Sequence, residues 1–452
     1  MKTALHIYCL LGILLLVALA CKSVSSKEDT TLKIPAHAFQ NAQDLDALMS
    51  QIGDARIVLL GEASHGTSEY YTWRAAISKR LIQEKGFDMI AVEGEWADSY
   101  RVNQFIKGGP KDSLQTLGLL GQYNRWPTWM WGNYEVADLV TWMNRYNQNK
   151  AINDKVGFYG LDVYCLWESM QELMPYIQGN DSLMRMAREV RQCFQPFSAD
   201  PMQYAYSVMN ASENCRSQTQ RLYQAISNYT GGKTSTNEAE FVMQQNALVA
   251  LNGENYYRTA ATNGSASWNI RDRHMTSTIK RLLEHHGPQS KIIVWEHNTH
   301  VGDARYTDMA KEGMVNVGQL VRQEYGQENV YIVGFGSYTG TVIAAKEWGG
   351  NIETMNVPHA RRGSWEELLH RMGPQNKLLF SNELRQDAAL MKSIGHRAIG
   401  VQYNPNFESG NYVPTVIPNR YDAFIFIDKT TALRPIPTVI ANEPPDTYPS
   451  GY

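Results

Sequence analysis

Aliphatic runs of strand length recur along the chain: 56-RIVLL-60, 87-FDMIAVE-93, 156-VGFYGL-161, 291-KIIVWE-296, 329-NVYIVGF-335, 397-RAIGVQY-403 and 423-AFIFI-427. They are continuous rather than alternating, which is the pattern of strands buried on both faces. Between the first two, 68-SEYYTWRAAISKRLIQEKG-86 sets Tyr71, Ala75, Ile77, Leu81 and Ile82 at helical spacing and closes on a glycine suited to a C-cap. Strand, helix and strand make a βαβ unit. A further helix is predicted over 133–147, with Asn133 as its N-cap.

From Leu166 to His286 the strand-like runs vanish, and Met, Gln, Glu, Arg and Ala take helical spacing. This predicts a mostly helical insertion over 166–286, acting as cover or lid on a core built from 35–165 and 287–435. The fold class expected is α/β, with a largely parallel central sheet flanked by helices. The segment 436–452 is a Pro-rich tail. At the other end, Lys2 and the apolar run 8-YCLLGILLLVALA-20 read as a signal peptide over 1–20, too short for an ordinary membrane span. Ala18-Leu19-Ala20-Cys21 resembles a bacterial lipobox, and a polar tether over 21–34 follows. The expectation is an exported lipoprotein that meets the membrane only through lipid on Cys21. Plain cleavage, with Cys21 a bystander, is the alternative.

A net charge of −3 over 452 residues offers no basic footprint for nucleic acid. Export changes the reading of the cysteines. Once Cys9 and Cys21 are set aside, Cys165, Cys193 and Cys215 remain, with no CxxC. An oxidising compartment favours a Cys193–Cys215 pair across 196-PFSADP-201 and a free Cys165, against three buried thiols.

The polar residues that interrupt this pattern sit where the strands end: Glu62 and His65, Glu93 and Glu95, Asp162, then Glu296, His297, Asn298 and His300. Such groups are costly to bury unless paired or working, and a parallel sheet gathers its carboxyl ends into one crevice. There is no G-x-S-x-G elbow, no Walker loop, and no G-x-G-x-x-G after the first strand. Histidine, carboxylate and arginine remain. A carboxylate-oriented histidine can activate water, and an arginine or second histidine can hold the oxyanion. A metal site from His65, His297 and His300 with Glu93 or Asp162 is the competing reading. The HNTH spacing at a strand end does not make those histidines share a helix face. The aromatic run 123-YNRWPTWMWGNY-134 suits either a cleft lining or packing on the sheet.

The segments 61-GEASHGTSEYYTWR-74, 91-AVEG-94, 158-FYGLDVY-164, 269-NIRDRHM-275, 295-WEHNTHVGDAR-305 and 400-GVQYNP-405 resemble, in the same order, motifs of the erythromycin esterase family. The similarity spans about residues 35 to 435. It implies an esterase that opens a macrolactone by water attack, with no covalent intermediate, no obligatory metal and no cofactor. The resemblance puts the general base on His65 with Glu62, an arginine on Arg74, a carboxylate on Glu93, a second histidine on His300 and a further arginine on Arg271. Glu93 beside Arg74 is expected as a buried pair. Glu296 and Ser68 depart from the family's pattern, and a carboxylate beside the second histidine would raise its pKa. The substrate expected is a small-molecule ester. The alternatives are a metal-dependent hydrolase of another ester and a lipoprotein that binds ligand without turnover.

If Cys21 carries the anchor, the wild type sediments with membranes, and Cys21→Ser is left soluble or unprocessed. Finding the wild type wholly in the soluble fraction overturns the anchor but not export.

Overall fold

Nine strands form one central sheet in the computed structural model, which describes residues 33–123, 125–198, 201–210 and 214–437. In chain order they are β1 (His37–Ala38), β2 (Ile57–Leu60), β3 (Met89–Glu95), β4 (Gly157–Asp162), β5 (Ile292–Trp295), β6 (Val330–Ala345), β7 (Ile352–Val357), β8 (Lys377–Phe380) and β11 (Ala423–Thr430). The other two, β9 (Ile394–Arg397) and β10 (Tyr412–Thr415), pair antiparallel in a small sheet of their own. The main order is β1-β8-β11-β6-β2-β5-β3-β4, with β7 on the far end of β6. The block β11-β6-β2-β5-β3-β4 is parallel throughout, while β8, β1 and β7 join antiparallel. The sheet is therefore mixed and mostly parallel.

The aliphatic runs become these strands because both faces are covered. Every residue of β2 and β5 is buried. The helix Ser68–Lys85 links β2 to β3 and stops at Gly86, whose φ of 66° is left-handed and free of steric cost only for glycine. Asn133 caps the helix Tyr134–Asn147, its Oδ1 accepting the Val136 amide at 2.8 Å. The βαβ unit forms with one difference: β5, from far down the chain, sits between β2 and β3. That insertion puts the ends of β2, β5, β3 and β4 side by side.

Residues 166–286 contain no strand among those described. They form the helices Leu166–Leu173, Asp181–Phe194, Pro201–Asn210, Arg216–Tyr229, Glu238–Ala260 and Gly264–His286, with a few short turns of tighter helix. This layer has its own apolar core, including Leu173, Val190, Leu222 and Tyr257. Its last helix, Gly264–His286, returns to pack against β4. The signal peptide 1–20, Cys21 and the tether through residue 32 lie outside the described residues, as does the tail from 438.

Two strand assignments need correction. The run 397–403 is no strand of the main sheet: β9 ends at Arg397, and Ile399 and Gln402 make only single bridges, to Ser64 and Ala345. The Ile399 amide bonds the Ala63 carbonyl at 2.8 Å, so this apolar stretch crosses the carboxyl edge of the sheet instead of extending it. The short or half-exposed strands β1, β7 and β8 carry no long aliphatic run and were not anticipated.

Cys193 and Cys215 are joined, with Cα atoms 5.9 Å apart, and Cys165 is a buried free thiol. The bond closes a loop with a sequence separation of 22, tying the helix Asp181–Phe194 to the start of Arg216–Tyr229. Cys193→Ser should lower stability by about 2–4 kcal/mol in urea unfolding, through the entropy regained by the open loop. Unchanged stability would mean that the helical layer does not depend on the closed loop.

Candidate active site

The carboxyl end of β2 runs into Gly61, where a Cβ would stand 2.1 Å from the Asn298 Oδ1. The missing side chain lets Asn298 bridge to β6, its side chain pairing with both the amide and the carbonyl of Phe335. Glu62 follows, buried and divided between two partners. Its Oε1 takes the His65 Nδ1 at 2.8 Å, and its Oε2 takes the Arg74 Nη2 at 2.5 Å. Arg74 projects from the first turns of the helix Ser68–Lys85, with its guanidinium between the Tyr71 and Trp295 rings, 4.4 and 4.6 Å from their centroids. With Nδ1–H given to Glu62, the His65 lone pair is on Nε2, for which no partner exists among the described residues.

A second network lies on the β3–β4 side. Arg271, about two turns into Gly264–His286, gives its Nε and Nη2 to Asp162 at 3.0 and 2.6 Å, a bidentate pair. The same Nη2 reaches Glu93 Oε1 at 2.8 Å, and Nη1 reaches His300 Nε2 at 2.9 Å. His300 is fully buried; its Nδ1 bonds both oxygens of Asp272 at 3.0 Å, and its ring stacks on Trp268 at 4.3 Å. Glu93 Oε2 accepts the His297 amide at 2.8 Å, and Trp131 Nε1 bonds the Glu93 carbonyl at 3.0 Å. Burial pushes the Glu93 carboxyl up, but His300, Arg271 and His65 more than offset it and hold the group below its usual range. Burial, then the neighbouring His65 charge, lowers the His297 pKa well below normal. Its Nδ1 accepts the Thr299 amide, so its proton lies on a buried Nε2 whose ring is 4.9 Å, centroid to centroid, from His65.

These two networks meet at one cavity, which holds ≈ 70 Å³ of water-sized space behind an aromatic mouth. His65, Glu93, Asp162 and Arg271 form its polar wall, with Glu95 and Arg125 beside them. Trp126 and Trp348 stand at 4.6 Å from each other on the apolar side. A bulge places Glu95: Val92 faces Gly160, but Glu95 faces Asp162, so β3 carries one extra residue. Gly160 permits it, since a Cβ there would lie 2.2 Å from the Glu95 carbonyl oxygen. Among the described residues, no three His, Cys, Asp or Glu side chains are arranged as metal ligands.

A family model described as erythromycin esterase matches residues 82–430. The chain belongs to the erythromycin esterase family. It is thus a carboxylic ester hydrolase. An erythromycin esterase type II from Escherichia coli is 23% identical over 380 residues, covering 78% of this chain and 86% of that protein. Three solved structures share the fold. A Bacillus cereus protein has a TM-score of 0.74 at 20% identity, over 88% of this chain and 96% of its own. A succinoglycan biosynthesis protein has 0.71 at 19%, over 88% and 95%. A mutant of the erythromycin esterase EreC in its open conformation has 0.63 at 16%, over 87% and 95%.

In this esterase the sequence-predicted residues divide into three positions. His65, Glu93 and Arg271 face the cavity; Glu62 and Arg74 stand behind His65; His300 stands behind Arg271. The expected Arg74–Glu93 pair does not form. Arg74 pairs with Glu62 and Arg271 with Glu93, because the guanidinium nearest each carboxylate comes from a different helix. Glu296 does not put a charge beside the second histidine. Burial, then Glu93 and Asp272, lifts it well above the usual carboxylate range, and neither oxygen has a hydrogen-bond partner among the described residues. The aromatic run serves both readings, with Trp126 and Trp131 lining the cavity and Trp129 buried in the core. Sequence reasoning passed over Asp272, next to Arg271 in the same motif, and the placement of Glu95.

Arg74→Met should leave Glu62 buried without its cation and cost about 3–5 kcal/mol in urea unfolding. A double variant that also carries Glu62→Leu should recover much of that loss. Equal stability of wild type and single variant would show that Glu62 does not depend on Arg74.

Proposed function

We propose that the protein hydrolyses its ester by direct attack of a water that His65 deprotonates. The observation that carries this reading is the state of His65. Glu62 holds its Nδ1, and its Nε2, on a residue of the cavity wall, has no hydrogen-bond partner among the described residues. Glu62 fixes the tautomer and stabilises the imidazolium as it forms, and Arg74 holds the other Glu62 oxygen in place for that task. Arg271 supplies the electrophilic side. Of its five N–H donors, one goes from Nε to Asp162, two from Nη2 to Glu93 and Asp162, and one from Nη1 to His300. The fifth, on Nη1, has no acceptor among the described residues. It is free for the oxygen of the tetrahedral intermediate, on a residue of the same cavity wall.

A macrolactone is the substrate that the family suggests first. The space behind the aromatic mouth admits an ester group and a few carbons, so a large ring would rest against Trp126 and Trp348 with its carbonyl inserted. Incubation with erythromycin decides this by mass, since ring opening adds one water. The Cys193–Cys215 bond supports export, as such bonds persist in oxidising compartments.

His65→Ala should lower kcat by at least ~100-fold, the scale of lost acid–base catalysis, with KM little changed. A folded variant of near-normal turnover would remove His65 from the mechanism.

A further inference from the structure

Water attack on an ester poses a second proton problem. When the tetrahedral intermediate collapses, the departing alkoxide is about as basic as hydroxide, whose conjugate acid, water, has a pKa of ~15.7. An acid on the cavity wall must meet it. The carboxyl groups there are Glu93, Asp162 and Glu95. Glu93 is tied to Arg271 and to the His297 amide, and Asp162 is tied twice to Arg271. The oxygens of both are taken up as acceptors of these donors. Glu95 is placed differently. Its nearest cation, the Arg125 Nε, is 3.6 Å away, and the bulge at the end of β3 holds it in place.

Position favours it as well. His65 follows β2, and Glu95 ends β3, with β5 alone between them in the sheet. Two strand spacings of ~4.8 Å put the two strand ends roughly 10 Å apart. Both side chains line the same cavity, so an ester carbonyl between them would take its attacking water from the His65 side and turn its leaving oxygen to the Glu95 side. We propose that Glu95 is the general acid, and that its carboxyl protonates the leaving-group oxygen while His65 serves the attacking water. The assignment rests on the water-attack reading given above.

The steps balance. His65 takes one proton from water as the new C–O bond forms. The bond to the leaving oxygen then breaks, and the Glu95 proton passes to that oxygen, giving the alcohol. The product carboxylic acid returns a proton to Glu95, and the His65 imidazolium loses its own to solvent. The sum is ester plus water giving carboxylate, alcohol and one proton.

The surroundings keep Glu95 supplied with that proton. Burial, aided by Asp98 and Asp162 and opposed by Arg125, pushes its carboxyl up to about 7. Tyr123 and the Cys165 thiol also face this charge, and both are pushed up by their own burial, so they stay neutral near that pH. An acid of this strength is matched to work near neutrality. Because the acid form of Glu95 is the active one, its contribution to turnover is present below pH ~7 and is lost as pH rises through it.

The test compares two esters of one acid, an ethyl ester and a nitrophenyl ester, whose leaving group departs without a proton. In Glu95→Gln, kcat for the ethyl ester should fall at least ~100-fold further than kcat for the nitrophenyl ester. A merely structural role would lower both alike, and equal losses, or none, overturn the proposal. The wild type offers an independent reading that needs no folded variant. Its kcat/KM for the ethyl ester should decline above pH ~7 while that for the nitrophenyl ester does not. Matching alkaline limbs for the two esters also overturn it. Failure of the water-attack reading is seen separately, as a folded His65→Ala that retains turnover of both esters.

Discussion

The buried guanidinium of Arg271 is the interaction on which the rest of the site depends. It arrives from the helical layer and joins the ends of two neighbouring strands, through Asp162 at the end of β4 and Glu93 on β3. Carboxylates at those positions are costly to desolvate, and the one cation between them is what makes their burial tolerable. The same group grips His300, which Asp272 holds from the next residue of the Arg271 helix. Through these bonds the helical segment contributes to the wall of the candidate site.

The site divides its work between two ion networks that share little. On the β2 side, Arg74, Glu62 and His65 form a line in which each member fixes the next, ending in a nitrogen without a protein partner. On the β3–β4 side, Arg271 is surrounded by acceptors, and its remaining N–H has none among the described residues. Glu93 ties Arg271 to the segment after β5, since it accepts from Arg271 with one oxygen and from the His297 amide with the other. His300 serves this arrangement from behind. Its two ring nitrogens are both engaged, so its effect on turnover would pass through Arg271.

Much of this was legible in the chain. Continuous aliphatic runs gave β2 through β6 and β11 because strands covered on both faces have no solvent side to mark with polar residues. The glycine after Lys85 and the asparagine before Tyr134 marked helix ends through local backbone chemistry alone. The clustering of Glu62, His65, Glu93 and Asp162 followed from strand polarity, since neighbouring parallel strands end at one edge. The stretch 397–403 misled because an apolar run reads the same whether it lies within a sheet or across its edge. The short strands β1, β7 and β8 escaped because their pairing depends on contacts that no aliphatic run marks.

By itself, then, the sequence determined which side chains stand at the strand ends, which segments are helical, and that the ionisable groups there would share a crevice. Those facts depend on periodicity, capping and strand direction, which are local. The tertiary structure alone decided the partners: Arg74 with Glu62, Arg271 with Glu93 and Asp162, and His300 behind the wall instead of on it. It also decided that β5 lies between β2 and β3, and that a one-residue bulge over Gly160 turns Glu95 into the cavity. A buried charge pairs with whichever opposite charge the packing brings within hydrogen-bond reach. That distance is set by strand order and helix placement, for which spacing along the chain carries no signal.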